Sequence, residues 1–173
     1  MISGKIVYLF IFIIIPYYIL IETTPILAQE NSKYVAELDG KQVSPKVNTN
    51  ATGIANFVFY KGESSFDDQL MYNVNVSGIK DVILIELHSG PEGYNGTLVA
   101  ELPKKDNYEK TGLLASGNLN INDTFMDEIG GKGEYALDVL HNYINSNEIY
   151  IDIHTKEYPE GEIRGHIHHI SIN

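Results

Sequence analysis

Four stretches of this chain alternate apolar and polar residues with a period of two, and that period suits an extended backbone and no helix. Leu70, Tyr72, Val74 and Val76 alternate with Met71, Asn73, Asn75 and Ser77. Ile83, Ile85 and Leu87 alternate with Leu84, Glu86 and His88. Ile149, Ile151 and Ile153 alternate with Tyr150, Asp152 and His154, and Ile163, Gly165 and Ile167 with Glu162, Arg164 and His166. Successive strand side chains point to opposite faces, so each stretch offers one face to a core. The last two flank Lys156–Gly161, whose Pro159 and Gly161 mark a turn, so 149–167 reads as a hairpin. Further strands are expected at Tyr34–Leu38, Gly53–Tyr60, Leu98–Leu102 and Leu113–Ile121, while Gln42–Thr52, with Pro45, reads as an extended edge or a loop. Only Tyr135–Ile144 breaks the period. Leu137, Leu140 and Ile144 fall at helical spacing there, with His141 as a surface or boundary residue. About eight strands and one short helix predict an all-β fold, an antiparallel β-sandwich or Greek-key barrel-like domain.

The first 28 residues stand apart from this pattern. One lysine, Lys5, precedes an apolar run from Ile6 to Ile21, and Ile26-Leu27-Ala28 precedes Gln29-Glu30. That order is a signal peptide cut after Ala28, with an uncleaved membrane anchor as the alternative. The run is shorter than the roughly 20 residues of a full span, and Pro16 interrupts it. Cleavage would leave 173 − 28 = 145 residues, one domain from 29 to 173 with length for a core. The formal charge is −11, which makes nucleic acid and anionic lipid poor partners. There is no cysteine, so neither disulfides nor thiolate ligands can hold the fold. Glycosylation sequons at Asn50, Asn75, Asn95 and Asn122 fit an exported protein, secreted or at the cell surface.

Three separated patterns resemble the CHRD family, the domain repeated in chordin and found singly in microbial exported proteins. The first is Leu38, Gly40, Val43, Pro45, Val47, Thr49, Ala51, Gly53 and Ala55. The second is His88-Ser89-Gly90 followed by Gly93, Asn95 and Gly96. The third, and most specific, is Tyr150-x-x-x-His154-Thr155 followed by Pro159-x-Gly161-Glu162-Ile163-Arg164-Gly165. The chain departs from the family pattern at Glu86, where a histidine is usual, at Thr97, where proline often stands, and at His166, where glutamine is common. The resemblance covers about residues 34–168. It implies an extracellular β-sandwich-like module, with Thr155, Pro159, Gly161, Arg164 and Gly165 as its structural motif, and says little about chemistry.

Two functional readings follow. The first is an exported, non-catalytic module that binds a protein, glycan or matrix partner at the cell surface. The alternative is a copper- or zinc-binding protein, redox-active or not, with Glu86, His88, His154, Glu162 and His166 as candidate ligands. Imidazoles and carboxylates suit Zn²⁺ or Cu²⁺. Periodicity pairs these residues within strands, whereas their meeting across strands rests on the resemblance. The bland counterpart is that the histidines bond loop backbone and Arg164 pairs with Glu162, Asp152 or Glu86. Enzyme readings are thin. There is no cysteine nucleophile and no G-x-S-x-G elbow, and the glycine-rich 89–97 loop lacks the lysine of a phosphate loop. Its Gly90, Gly93 and Gly96 read as positive-φ turn residues. Asp67-Asp68 reads as a solvated pair rather than a calcium loop. Cu/Zn superoxide dismutase resembles the expected architecture, but this chain lacks that family's fuller histidine set and its disulfide.

Overall fold

The computed structural model describes residues 31–119 and 136–170. The signal or anchor segment, the Asn122 sequon, Tyr135 and the end of the expected strand at Ile121 lie outside them. The strands are β1 (Ser32–Asp39), β2 (Thr52–Tyr60), β3 (Gln69–Ser77), β4 (Val82–Ser89), β5 (Thr97–Glu101), β6 (Gly112–Leu119), β7 (Ile149–Thr155), β8 (Ile163–His166) and β9 (His168–His169). One helix, α1 (Ala136–Asn145), precedes β7. The domain is all-β and antiparallel. Its strands form one sheet in the order β5-β4-β7-β8-β1-β2-β3-β6, with β9 alongside β1. The segment from Gln42 to Ala51 forms no strand, and β2 begins at Thr52.

The sheet curls toward closure. β5 and β6 are its two edges, and the segment between them crosses the gap, where Lys105 N–H donates to the Leu114 carbonyl at 2.9 Å. The inner faces of the strands fill the enclosed space. Ala36, Phe57, Val74, Leu87, Ile151 and Ile163 are all at most 1% exposed. This layer is what period-two patterning specifies, because burying apolar area is the main favourable term in folding. Helix α1 covers one end, with Leu137, Leu140 and Ile144 turned inward as expected.

Four details depart from the sequence reading. The expected last strand is broken at Ile167, whose N–H bonds the Ile149 carbonyl, and His168-His169 restarts as the exposed β9. Asp68 is buried rather than solvated. Its carboxylate takes the Gly62 N–H and the Lys61 ammonium, each at 2.8 Å, and Lys61 also pairs with Asp138 of α1. His141 does more than edge the helix, since its ring stacks on Phe59 at 4.0 Å. In the 89–97 loop only Gly93 has positive φ, while a Cβ on Gly90 would lie 3.0 Å from the Gly96 Cα, so tight packing is what limits that pair. Asn50, Asn75 and Asn95 are exposed.

Candidate metal centre on the outer face of β4 and β7

Strand register decides which polar residues meet. β4 pairs with β7 so that Glu86 faces Asp152, Leu84 faces His154, and His88 faces Tyr150. β7 pairs with β8 so that Asp152 faces Arg164 and Tyr150 faces His166. Residues directly opposite on antiparallel strands share a face. A polar layer therefore lies on the outer side of β4, β7 and β8, and a second layer covers it. All seven residues of β7 are buried, inner and outer faces alike.

The cover is the loop after β4, and the polar layer itself pins it. Gly96 N–H donates to the Tyr150 hydroxyl at 2.8 Å. Arg164 donates to the Tyr94 carbonyl at 3.2 Å and to Asn95 Oδ1 at 2.9 Å. His166 Nε2 lies 3.1 Å from the Gly90 carbonyl, and Ser44 donates to the Gly93 carbonyl at 2.8 Å. The same guanidinium grips Asp152 Oδ2 through Nε at 2.9 Å and Nη2 at 2.6 Å, and lies over the Tyr150 ring. Burial raises the Asp152 pKa, against the opposing pull of Arg164. Burial likewise raises that of Tyr150 and lowers that of His166. A buried carboxylate of this kind needs its cation to stay in place.

Glu86, His88 and His154 converge beside that pair, with one potential ligand atom from each lying within 4.8 Å of the others. Glu86 Oε2 is 3.0 Å from His88 Nε2 and 3.0 Å from His154 Nε2. The far nitrogen of each ring is already committed. His88 Nδ1 lies 3.2 Å from the Gly96 carbonyl and His154 Nδ1 2.9 Å from the Pro159 carbonyl. A carbonyl only accepts, so each Nδ1 carries the hydrogen. In a neutral ring that leaves the Nε2 lone pair facing a carboxylate oxygen. Two acceptors at 3.0 Å repel unless a proton or a metal ion stands between them; His88 Nε2 has hydrogen-bond geometry toward Glu86 Oε2. Close as it is, His154 Nε2 lacks hydrogen-bond geometry toward Glu86. Among the described residues, His154 Nε2 and Asp152 Oδ1 are the two buried side-chain polar atoms with no hydrogen-bond partner. They lie two residues apart on the same face of β7. An imidazole fixed through Nδ1 to a carbonyl, with Nε2 free, is the usual posture of a metal-ligating histidine.

The other sequence candidates lie elsewhere. Glu162 accepts from Thr49 and Thr155 hydroxyls, each at 2.8 Å, and is not in the cluster. His166 stands on the far side of Tyr150, tilted against its ring. Pro159 supplies the carbonyl that fixes His154, and Thr155 holds both Glu162 and the Tyr158 N–H. Gly161 has φ +118°, and a Cβ there would meet Asp152 Oδ1 at 2.5 Å. Gly165 lets β8 approach β1, since its Cβ would lie 2.4 Å from the Glu37 carbonyl oxygen. Tyr150 opens the third motif but is not among the candidate ligands, and the loop carbonyls that fix both rings are not legible in the sequence. Tyr150 was visible as an aromatic on the polar side of an alternating strand, but nothing in the sequence shows that this side is covered.

No helix among the described residues is long and apolar enough to cross a membrane. No solved structure matches this chain. A family model for the CHRD domain matches residues 34–167, a span that takes in all three motifs and the whole polar layer. The chain belongs to the CHRD domain family, whose domains occur in extracellular proteins.

Proposed function

We propose that this domain is an exported, non-catalytic module that holds one divalent transition-metal ion with Glu86, His88 and His154. The observation that carries the reading is His154 Nε2, a buried ring nitrogen with no hydrogen-bond partner, 3.0 Å from the oxygen that a second fixed imidazole also faces. Two imidazoles and a carboxylate suit Zn²⁺ or Cu²⁺, and suit Ca²⁺ or Mg²⁺ poorly because those ions take oxygen ligands. The ion would bind between Glu86 Oε2 and the two Nε2 atoms, give His154 Nε2 a partner, and brace the layer on which the 90–96 loop rests. Elemental analysis of protein purified without a histidine tag tests this. We expect about one equivalent of zinc or copper in the wild type and none in His154→Ala, with chelation lowering the melting temperature of the wild type alone, since an ion that binds the folded state stabilises it by mass action. Protein that stays metal-free after incubation with both ions would leave two ordinary structural histidines.

A second reading, partner binding through the same loop, is favoured by Tyr94. Its side chain is 68% exposed, although its own carbonyl is held by Arg164. An aromatic presented on a fixed loop loses little entropy on binding. Loss of glycan or protein binding in Tyr94→Ala, with the metal retained, would separate this role from the ion's.

A further inference from the structure

We infer that Glu101, on the edge strand β5, supplies a fourth ligand to that ion, which then clamps β5 to β4 and has no open coordination position. This rests on the metal reading above and extends it to a residue outside the three-residue cluster. Glu101 is the direct cross-strand partner of Glu86. Opposed residues on antiparallel strands share a face, with Cβ atoms about 4.5–5.5 Å apart, and like charges so placed are destabilising. Across five strands the register puts Glu101, Glu86, Asp152, Arg164 and Asp39 in one row. Of these carboxylates, Asp152 takes the Arg164 guanidinium, Asp39 accepts the Lys41 and Gln42 N–H groups, and Glu86 lies against the His88 and His154 rings. Glu101, opposite Glu86, is the carboxylate of the row left without a side-chain partner. The Glu101 side chain makes no hydrogen bond or ion pair among the described residues and is exposed, so it is free to turn toward the site.

The local backbone fits that role. The β4–β5 ladder shifts register between Leu87 and His88, between the two β4 ligands Glu86 and His88. Bulges of this kind re-aim side chains, and here the shift keeps Glu101 opposite Glu86 while His88 faces Leu98. Two imidazole nitrogens and two carboxylate oxygens make a four-coordinate shell of the closed, structural type, in contrast to catalytic zinc sites that keep a water. The clamp would also sit at the start of the segment that closes the sheet. Leu102 N–H bonds the Ile85 carbonyl, and Lys105 N–H then reaches β6.

The test is a titration of the wild type and Glu101→Gln with Co²⁺ and Zn²⁺, followed through the cobalt visible spectrum and through amide exchange in β5. Glu101 is on the surface, so the variant should fold. We expect a tetrahedral cobalt spectrum in the wild type, its replacement in the variant by the weaker bands of a water-containing shell, and affinity lower by about tenfold or more. Ion-dependent protection of the β5 amides should disappear with it. Cobalt spectra that are the same in both proteins would overturn the inference even if affinity fell, because lost attraction alone leaves the coordination shell intact. A wild type that binds neither ion would overturn the metal reading and this inference together.

Discussion

β3 and β7 look alike in the sequence and differ in the molecule. Each alternates apolar and polar residues without a break, and each turns its apolar side to the same core. Along β3 burial alternates too, with Met71 and Asn75 in solvent. Along β7 every residue is buried, because the 90–96 loop lies over Tyr150 and over the Arg164 that grips Asp152, while the turn before β8 holds His154 through the Pro159 carbonyl. A polar face open to water has its partners supplied by the solvent. A covered polar face must find them within the protein, and each atom left without one costs free energy. Among the described residues the two unpartnered buried side-chain atoms both lie on β7, and that is what supports placing the proposed ion on this half of the sheet.

The largest test of this contrast is to remove the cation from the covered half. Arg164→Met leaves Asp152 buried without a counter-ion, and breaking such a pair costs about 3–5 kcal/mol. Asn73→Ala on the open face of β3 should change stability by less than about 0.5 kcal/mol. Urea unfolding of both variants gives the comparison. If Arg164→Met cost no more than Asn73→Ala, the outer side of β7 would be as wet as that of β3. Asp152→Asn combined with Arg164→Met should recover part of the loss, since the uncompensated charge goes too.

Next in size is the close approach of β8 to β1. In Gly165→Ala the new methyl would meet the Glu37 carbonyl oxygen at 2.4 Å, and strands held from both faces have little room to give. Overpacking of this kind costs typically about 1–3 kcal/mol. Gly53 on β2 is the counterpart in the open half, where the nearest atom would be the Asn75 carbonyl oxygen at 3.1 Å. Gly53→Ala should cost clearly less. Equal melting temperatures for the two variants would remove the distinction.

How much of this was legible beforehand follows from the same contrast. Strand periodicity located most of the core, and spacing the helix, because both depend on neighbours in sequence; it failed at Ile83, which is exposed where β4 shifts register against β7 between Val82 and Leu84. The hairpin motif around His154 and Arg164 could be read for the same reason. Pairing of β4 with both β5 and β7 could not, since it joins distant segments on one side and crosses a bulge on the other. Glu162 and His166 share a strand face with Arg164, as alternation requires, yet the register carries them away from Glu86. Glu162 goes to a pair of threonines and His166 to the Gly90 carbonyl. Asp68 departs from its solvated expectation because a charged doublet in a loop gives no sign of Lys61, the lysine that neutralises it.

The smallest effect concerns a histidine outside the covered face. His141 stacks on Phe59, its Nε2 lies 2.6 Å from the Tyr34 hydroxyl, and that hydroxyl donates to Asn145 at 2.8 Å. Burial lowers its pKa, with Asp138 pulling the other way and Lys61 reinforcing the shift. The folded state therefore binds this proton less readily than the unfolded chain, where histidine titrates near about 6.5. Between the two pKa values the unfolded state holds more protons, so stability rises with pH there. The contribution is fully present above about pH 6.5 and is lost as pH falls through the folded pKa, at no more than about 1.4 kcal/mol per pH unit. His141→Gln removes this titration while keeping a polar group near Tyr34. With any ion removed by chelation, so that His88 and His154 behave alike in both proteins, the stability gap between wild type and variant should narrow from about pH 7.5 to about pH 5.5. A gap that stays constant across that range would mean that His141 is as solvated as the histidines of β9, and that burial of polar rings is confined to the covered half after all.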